Sequence, residues 1–284
     1  MQQNMQNRKK IIINEPSNSL RKRGREALEG NWLTAFFVSI INVMLMIIPV
    51  YIMDEFFGRE ISVKNILMEL HMKYGMNFNF DEMNDAVIKK SGVSGLYILL
   101  ITGALTYGVS LYFMKMYRKQ NSGVADVFSG FEFFLKATGL YLYISFFSLL
   151  WLMVPIAGFI LAPIALIRYS QSFYIMIDHP QYSISQCVRE SKFLMSGNKL
   201  SFFMLSLSFI GWIIVAAIPV DIVDWVLSNV VNITDSYALI NVITTIVGGI
   251  GLYFVVAYME SSKIGFYEIL SGKVEADVYT PGEY

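Results

Sequence analysis

Six apolar runs, each close to the length needed to cross a bilayer, divide this chain and constrain its fold more than any other feature. A helix rising 1.5 Å per residue needs about 20 apolar residues to span a hydrocarbon core of about 30 Å. Five runs meet this plainly: Leu33–Met53, Ser94–Met114, Ala137–Val154, Ser201–Val220 and Ala238–Met259. The sixth, Ile156–Ile177, follows the third after Pro155 alone and contains Pro163 and Arg168. The alternative is one bent span from Ala137 to Ile167, giving five crossings. Its length would be about 46 Å of helix, too long for one crossing without strong tilt. The preferred reading is a tight hairpin at Pro155, and the expected fold class is all-α. The bundle is a polytopic transmembrane one of six spans in three hairpins, each preceded by a short interfacial helix.

Composition supports this reading. Of the 284 residues 55% are hydrophobic and only 15% charged, against about 25% charged in an average soluble domain. The mean hydropathy is +0.50. The first apolar run is expected to be retained as a span. About thirty polar and basic residues precede it, and it is longer than the core of a signal peptide, about 7–15 residues.

Orientation follows from basic residues, which favour the cytoplasmic side. With the N-terminus inside, sixteen of the 22 Lys and Arg residues become cytoplasmic. They include the cluster Arg21, Lys22, Arg23 and Arg25, a topogenic signal that also suits anionic lipids. The outer loop 54–93 carries five basic residues and seven acids, among them Asp81, Glu82 and Asp85. The other outer loop, Asp221–Tyr237, has three Asp and no basic residue. The division is a cytoplasmic N-terminal segment (1–32), a membrane domain (33–259, including loop 54–93) and a cytoplasmic tail (260–284). Inside the first outer loop, Val63, Ile66, Leu67 and Leu70 have helical spacing. A second short helix is expected from a cap at Asp81 through Lys90, after a break at Gly75-Met76-Asn77.

Three segments entering the spans resemble one another: Arg25-Glu-Ala-Leu-Glu-Gly-Asn31, Val127-Phe-Ser-Gly130-Phe-Glu132 and Arg189-Glu-Ser-Lys-Phe-Leu-Met-Ser-Gly-Asn198. In each, an amphipathic stretch reaches a glycine just before an apolar run. Gly30, Gly130 and Gly197 are therefore expected to close interfacial helices in the left-handed conformation, with Asn31 and Asn198 following two of them. Ser183-Ile-Ser-Gln186 fits a capping box at the start of the last such helix.

A longer ordered series carries a family resemblance. It runs Arg168-Tyr-Ser-Gln-Ser-Phe-Tyr174, Asp178-His-Pro180, Arg189-Glu-Ser191, Met195-Ser-Gly-Asn-Lys199 and Leu205-Ser-Leu-Ser-Phe-Ile-Gly-Trp212. Ala257-Tyr-Met-Glu260 and Gly265-Phe-Tyr-Glu-Ile-Leu270 end it. With the opening Arg25-Glu-Ala-Leu-Glu-Gly-Asn-Trp32, this resembles an uncharacterised family of integral membrane proteins of low-GC Gram-positive bacteria, over nearly the whole chain. It is more distantly similar to the membrane domain attached to some glycerophosphodiester phosphodiesterases. The resemblance implies six spans and supplies neither an activity nor catalytic residues.

Few residues suggest chemistry. Arg168 falls within the fourth span, where a charged side chain costs about 2.5–3.5 kcal/mol on insertion scales and calls for a partner or a wet cavity. Glu260 and Asp178 are its candidate counter-charges. The expectation is an Arg168–Glu260 pair, read either as a structural ion pair or as a polar site for an anionic headgroup. Gly248-Gly249-Ile-Gly251 is read as close helix packing. Trp32, Tyr51, Tyr97, Tyr112, Tyr117, Trp212, Tyr253 and Tyr258 mostly fall near span ends, and an aromatic belt accounts for many of them. The single Cys187 rules out an intramolecular disulfide, and with only His71 and His179 a histidine-rich metal site is not expected. There is no HExxH, P-loop or GxSxG motif, so no enzyme, cofactor or nucleic-acid partner is expected. The leading expectation is a non-enzymatic membrane protein acting through lipids, membrane-protein partners or a second copy of itself, for example in envelope maintenance. The alternative is a transport or export subunit, or protection against membrane-active peptides.

Overall fold

Five described helices are long and apolar enough to cross a membrane, and a sixth crossing is formed if one bent helix pair counts as a single span. The computed structural model describes residues 10–75, 87–155, 157–229, 237–276 and 278–279. Strand β1 (Ile12–Ile13) precedes helix α1 (Ser17–Leu28), whose buried Leu20, Gly24 and Leu28 form an i, i+4, i+8 stripe. Glu15 precedes this helix and accepts hydrogen bonds from Ser19 (2.8 Å) and Arg23 (Nε, 3.1 Å). That bond to Glu15 raises the Arg23 pKa. Gly30, at φ 80°, turns the chain into the first span, α2 (Trp32–Phe57).

Strand β2 (Arg59–Ser62), helix α3 (Val63–Tyr74) and strand β3 (Val87–Lys90) are the described elements between the first and second spans. The helix expected from Val63 is present and closes at Gly75 in the left-handed conformation. The second helix is not found up to Lys90. Residues 87–90 instead pair antiparallel with β2, Ile61 opposite Ile88, and Asp81 lies outside the described residues. Asp54 ties this ribbon to the next span, accepting from Lys90 Nζ (3.1 Å) and the Ser91 amide (2.9 Å).

The second span, α4 (Gly92–Tyr117), is the most heavily packed long helix after the fourth span. Against it lies a 3-10 helix, Val124–Phe131, followed by the third span, α5 (Phe134–Leu152). The contact is backbone to backbone. A Cβ at Gly108 would collide with the Val127 carbonyl, and one at Gly130 with the Ala104 carbonyl. Gly130 therefore serves close approach and does not adopt the left-handed turn expected of it. Only Gly30 and Gly197 of the three do so.

Helix α6 (Gly158–Tyr169) turns back against α5 and continues as α7 (Ser172–Asp178), so the third and fourth spans are a hairpin and not one bent helix. The break at Ser170–Gln171 is bridged from outside the helix: Ser191 Oγ donates to the Arg168 carbonyl (2.8 Å) and accepts from the Gln171 amide (3.2 Å). Ser191 belongs to α8 (Ile184–Leu194), which starts at the expected Ser183–Gln186 capping box.

The fifth span joins α9 (Lys199–Leu207) to α10 (Ile210–Asn229), and Arg21 reaches the break by donating to the Ser208 carbonyl at 3.1 Å. Asp221 and Asp224, expected in an outer loop, lie within α10 because the helix continues to Asn229. The last span is α11 (Tyr237–Ile243), a π-helical turn at Thr244–Gly248, and α12 (Ile250–Leu270), with a 56° bend. Gly248 and Gly251 pack closely on Val220 and Ala216 of α10, as expected of that glycine run. Tyr112 and Tyr253 are buried and belong to the interior, not to an aromatic belt.

The first and last described segments meet on one face, where β1 pairs antiparallel with β4 (Val278–Tyr279). Asn198, fully buried, holds this clasp: Oδ1 accepts from the Ile13 amide (2.9 Å), and Nδ2 donates to Ile11 (2.8 Å) and Leu194 (2.9 Å) carbonyls. Net values of about 1 kcal/mol per hydrogen bond imply that Asn198→Ala costs about 2–4 kcal/mol. Amide exchange at Ile13 should accelerate in this variant while that of α4 stays slow. Equal acceleration throughout would show that the clasp is not a local device.

Candidate functional site

Two polar constellations stand out within this bundle, and neither is the expected Arg168–Glu260 pair. The first lies on the face carrying the β1–β4 pair. Arg118 follows the last turn of α4 and grips Asp178 of α7 with both terminal nitrogens, at 2.8 and 3.0 Å. Its Nε and one terminal nitrogen also reach Glu268 of α12, at 2.9 and 2.6 Å. Asp178 accepts further bonds from Tyr267 (2.7 Å) and Lys273 (2.6 Å). Three spans are thereby joined by one planar guanidinium, whose fork suits two carboxylates as a lysine would not. Burial opposes the Arg118 charge, but the bonds to Asp178 and Glu268 outweigh it and the pKa rises above its ordinary value. Glu268 keeps 3% side-chain exposure. Two cations, Arg118 and Lys273, meet two carboxylates here, so the cluster is balanced in charge. Beside it lies a hollow of about 390 Å³, lined among others by Ile11, Asp178, His179, Glu190 and Lys273.

The second constellation is a cleft of about 340 Å³ among α4, α6, α7, α9 and α12. Thr106, Ser110, Ser170, Tyr174 and Ser206 contribute hydroxyls, Leu166, Ile167, Phe173 and Phe202 apolar walls, and Glu260 and Lys263 the charges. Lys263 Nζ pairs with Glu260 at 2.7 Å, one helical turn away, and the Tyr174 hydroxyl makes a long 3.5 Å bond to the same carboxylate. The two charged side chains remain 20% and 23% exposed.

The level of the cleft follows from helix geometry. Glu268 lies beside Arg118 at the end of α4, and Glu260 is eight residues earlier on α12, about 12 Å along the helix axis. Ser261, next to it, donates to the Gly24 carbonyl (2.8 Å), so the charge pair lies level with the polar helix α1. Five hydroxyls surround it.

Arg168 was expected to meet Glu260 and does not. Leu166, Ile167 and Ser170 line the cleft. At 100° per residue the Arg168 side chain falls about 150° from the centre of that stripe, on the opposite side of α6. Its side chain is half-buried and has no ion-pair partner among the described residues. Asp178, the other candidate, belongs to Arg118. Thus the three expected residues occupy three different places. Arg118 was missed because its partners come from two other helices and no sequence spacing links them. Lys263 is legible in the sequence as Glu260's i+3 neighbour. Gly30 and Gly197 end interfacial segments, Asn31 begins the first span through its carbonyl bond to Ala35 (2.9 Å), and Asn198 holds the terminal clasp.

Cys187 is buried, which raises its thiol pKa and keeps it protonated. No group of three His, Cys, Asp or Glu side chains among the described residues is placed to hold a metal ion.

Comparison with curated proteins and with solved structures gives no match. Residues 156–273, from the fourth span to the end of the last, are similar to the family described as "Protein of unknown function (DUF975)". That stretch contains Asp178, Glu260, Lys263 and Glu268 but not Arg118, and it is narrower than the near-complete resemblance expected from the ordered motifs.

Proposed function

We propose that this chain is a non-enzymatic, multi-pass protein of a bacterial cytoplasmic membrane that acts by holding the polar part of a membrane lipid in the Glu260–Lys263 cleft, in the service of envelope maintenance. One observation carries the reading: a hydroxyl-lined hollow of about 340 Å³ holds a paired carboxylate and ammonium that stay partly exposed. A purely structural ion pair calls for no open hollow beside it. The proposal has both termini in the cytoplasm, the side favoured by basic residues. The basic N-terminal segment contributes less lipid attraction than its charge suggests, since Arg23 is held by Glu15 and Arg21 by Ser208. The distant likeness to the membrane domain of some glycerophosphodiester phosphodiesterases is part of the same proposal and adds no residue to it.

The test is extraction of the whole protein into native lipid discs, with mass spectrometry of co-purifying lipids and proteins. One lipid class should be enriched over the source membrane, and the enrichment should fall in Glu260→Gln. Retained lipids matching the source membrane in both proteins would sink the reading. The 56° bend at the π-helical turn favours a second reading, a transport or export subunit, because broken helices recur at transporter sites. Stoichiometric recovery of a membrane ATPase would support that alternative.

A further inference from the structure

The cleft has a chemical bias that narrows what it can hold. Thr106 Oγ1 donates to the Thr102 carbonyl (2.7 Å), Ser170 Oγ to Ile167 (2.9 Å) and Ser206 Oγ to Phe202 (3.0 Å). Their hydrogens are spent on their own helices, so these hydroxyls present oxygen lone pairs to the cleft. Glu260 adds a carboxylate that accepts only. Lys263 is the one cation of the lining and has three N–H donors, of which one is directed at Glu260. The site is therefore rich in acceptors, holds a single cationic donor and carries no net charge.

A polar site with one carboxylate and one ammonium is best matched by a ligand with complementary charge at each end and no net charge overall. We propose that the occupant is a zwitterionic phospholipid headgroup with a primary ammonium, the ammonium on Glu260 and the hydroxyl oxygens and the phosphodiester on Lys263. A quaternary ammonium has no N–H to donate to those oxygens, and an anionic glycerol headgroup leaves Glu260 facing a net negative ligand. A volume of about 340 Å³ takes the headgroup but not two acyl chains. Leu166, at the wall of the cleft and 50% exposed, provides an apolar surface for a chain outside it. The lipid is accordingly favoured over a soluble molecule of the same headgroup chemistry. This inference rests on the lipid-holding reading above and specifies its ligand.

The whole protein is reconstituted in vesicles of equimolar phosphatidylethanolamine, phosphatidylcholine and phosphatidylglycerol, extracted, and its retained lipids counted by native mass spectrometry. Phosphatidylethanolamine should be enriched about tenfold over each of the others, the size expected of one charge-assisted hydrogen bond. Glu260→Gln should bring the phosphatidylethanolamine-to-phosphatidylcholine ratio close to one, and Lys263→Gln should lower retention of both. Wild-type protein challenged with soluble glycerophosphoethanolamine should keep its lipid, and displacement at equal concentration would overturn the lipid assignment. Retained lipid without headgroup preference, or a preference unmoved in a folded Glu260→Gln protein, would overturn the zwitterion assignment and leave the broader reading standing. No retained lipid in the wild type would remove the broader reading itself. Should Glu260→Gln fail to fold, the wild-type headgroup ratios decide alone.

Discussion

Replacing Arg118 by methionine should destabilise the bundle by about 3–5 kcal/mol, the cost of leaving a buried carboxylate without its cation. Glu268 is left without a cation, and Asp178 keeps only the half-exposed Lys273 and the Tyr267 hydroxyl. The measurement is loss of the monodisperse peak after heating in detergent, compared with wild type. The triple variant Arg118→Met/Asp178→Asn/Glu268→Gln should recover much of the loss, since no unpaired charge then remains buried. A triple variant less stable than Arg118→Met would show that the cluster's charges are not what makes the single substitution costly. Arg118→Lys should fall between, because a single ammonium cannot reproduce the fork.

The second large effect is expected at Gly130. Substitution by alanine places a methyl group against the Ala104 backbone carbonyl. Overpacking typically costs about 1–3 kcal/mol, and the upper end, about 3 kcal/mol, is expected because the obstructing atoms belong to a helix backbone and cannot rotate away. Gly108→Ala should cost a similar amount through Val127. The two together should cost less than their sum, because either one already separates the 3-10 helix from α4. Heat challenge of the single and double variants measures both points. A neutral Gly130→Ala would mean that the two backbones are farther apart than the structure places them.

Elements set by local pattern are legible in the sequence. The capping box at Ser183, the helix over Val63–Tyr74, the left-handed Gly30 and Gly197 and the hairpin at Pro155 each depend on residues close along the chain. Misreadings arise where distant segments meet. Gly130 looks like a helix stop, but its lack of a side chain is used by Ala104, 26 positions earlier in the chain. Residues 87–90 look like the end of a helix, but they pair with Arg59–Ser62. Arg168 and Glu260 look like natural partners because both are charges near apolar runs, and composition carries no information about which side of a helix faces which neighbour.

The apolar runs by themselves determined that this is an all-α chain with segments long enough for five to six crossings, because backbone polar groups in lipid are satisfied within a helix. Only the tertiary structure decided which charges share a site. Arg118 meets Asp178 and Glu268, and Glu260 meets Lys263 in an open cleft, because those meetings depend on helix rotation and on the breaks at Ser170, Ser208 and Thr244. Rotation and breaks are set by packing between helices, and that packing has no period in the sequence.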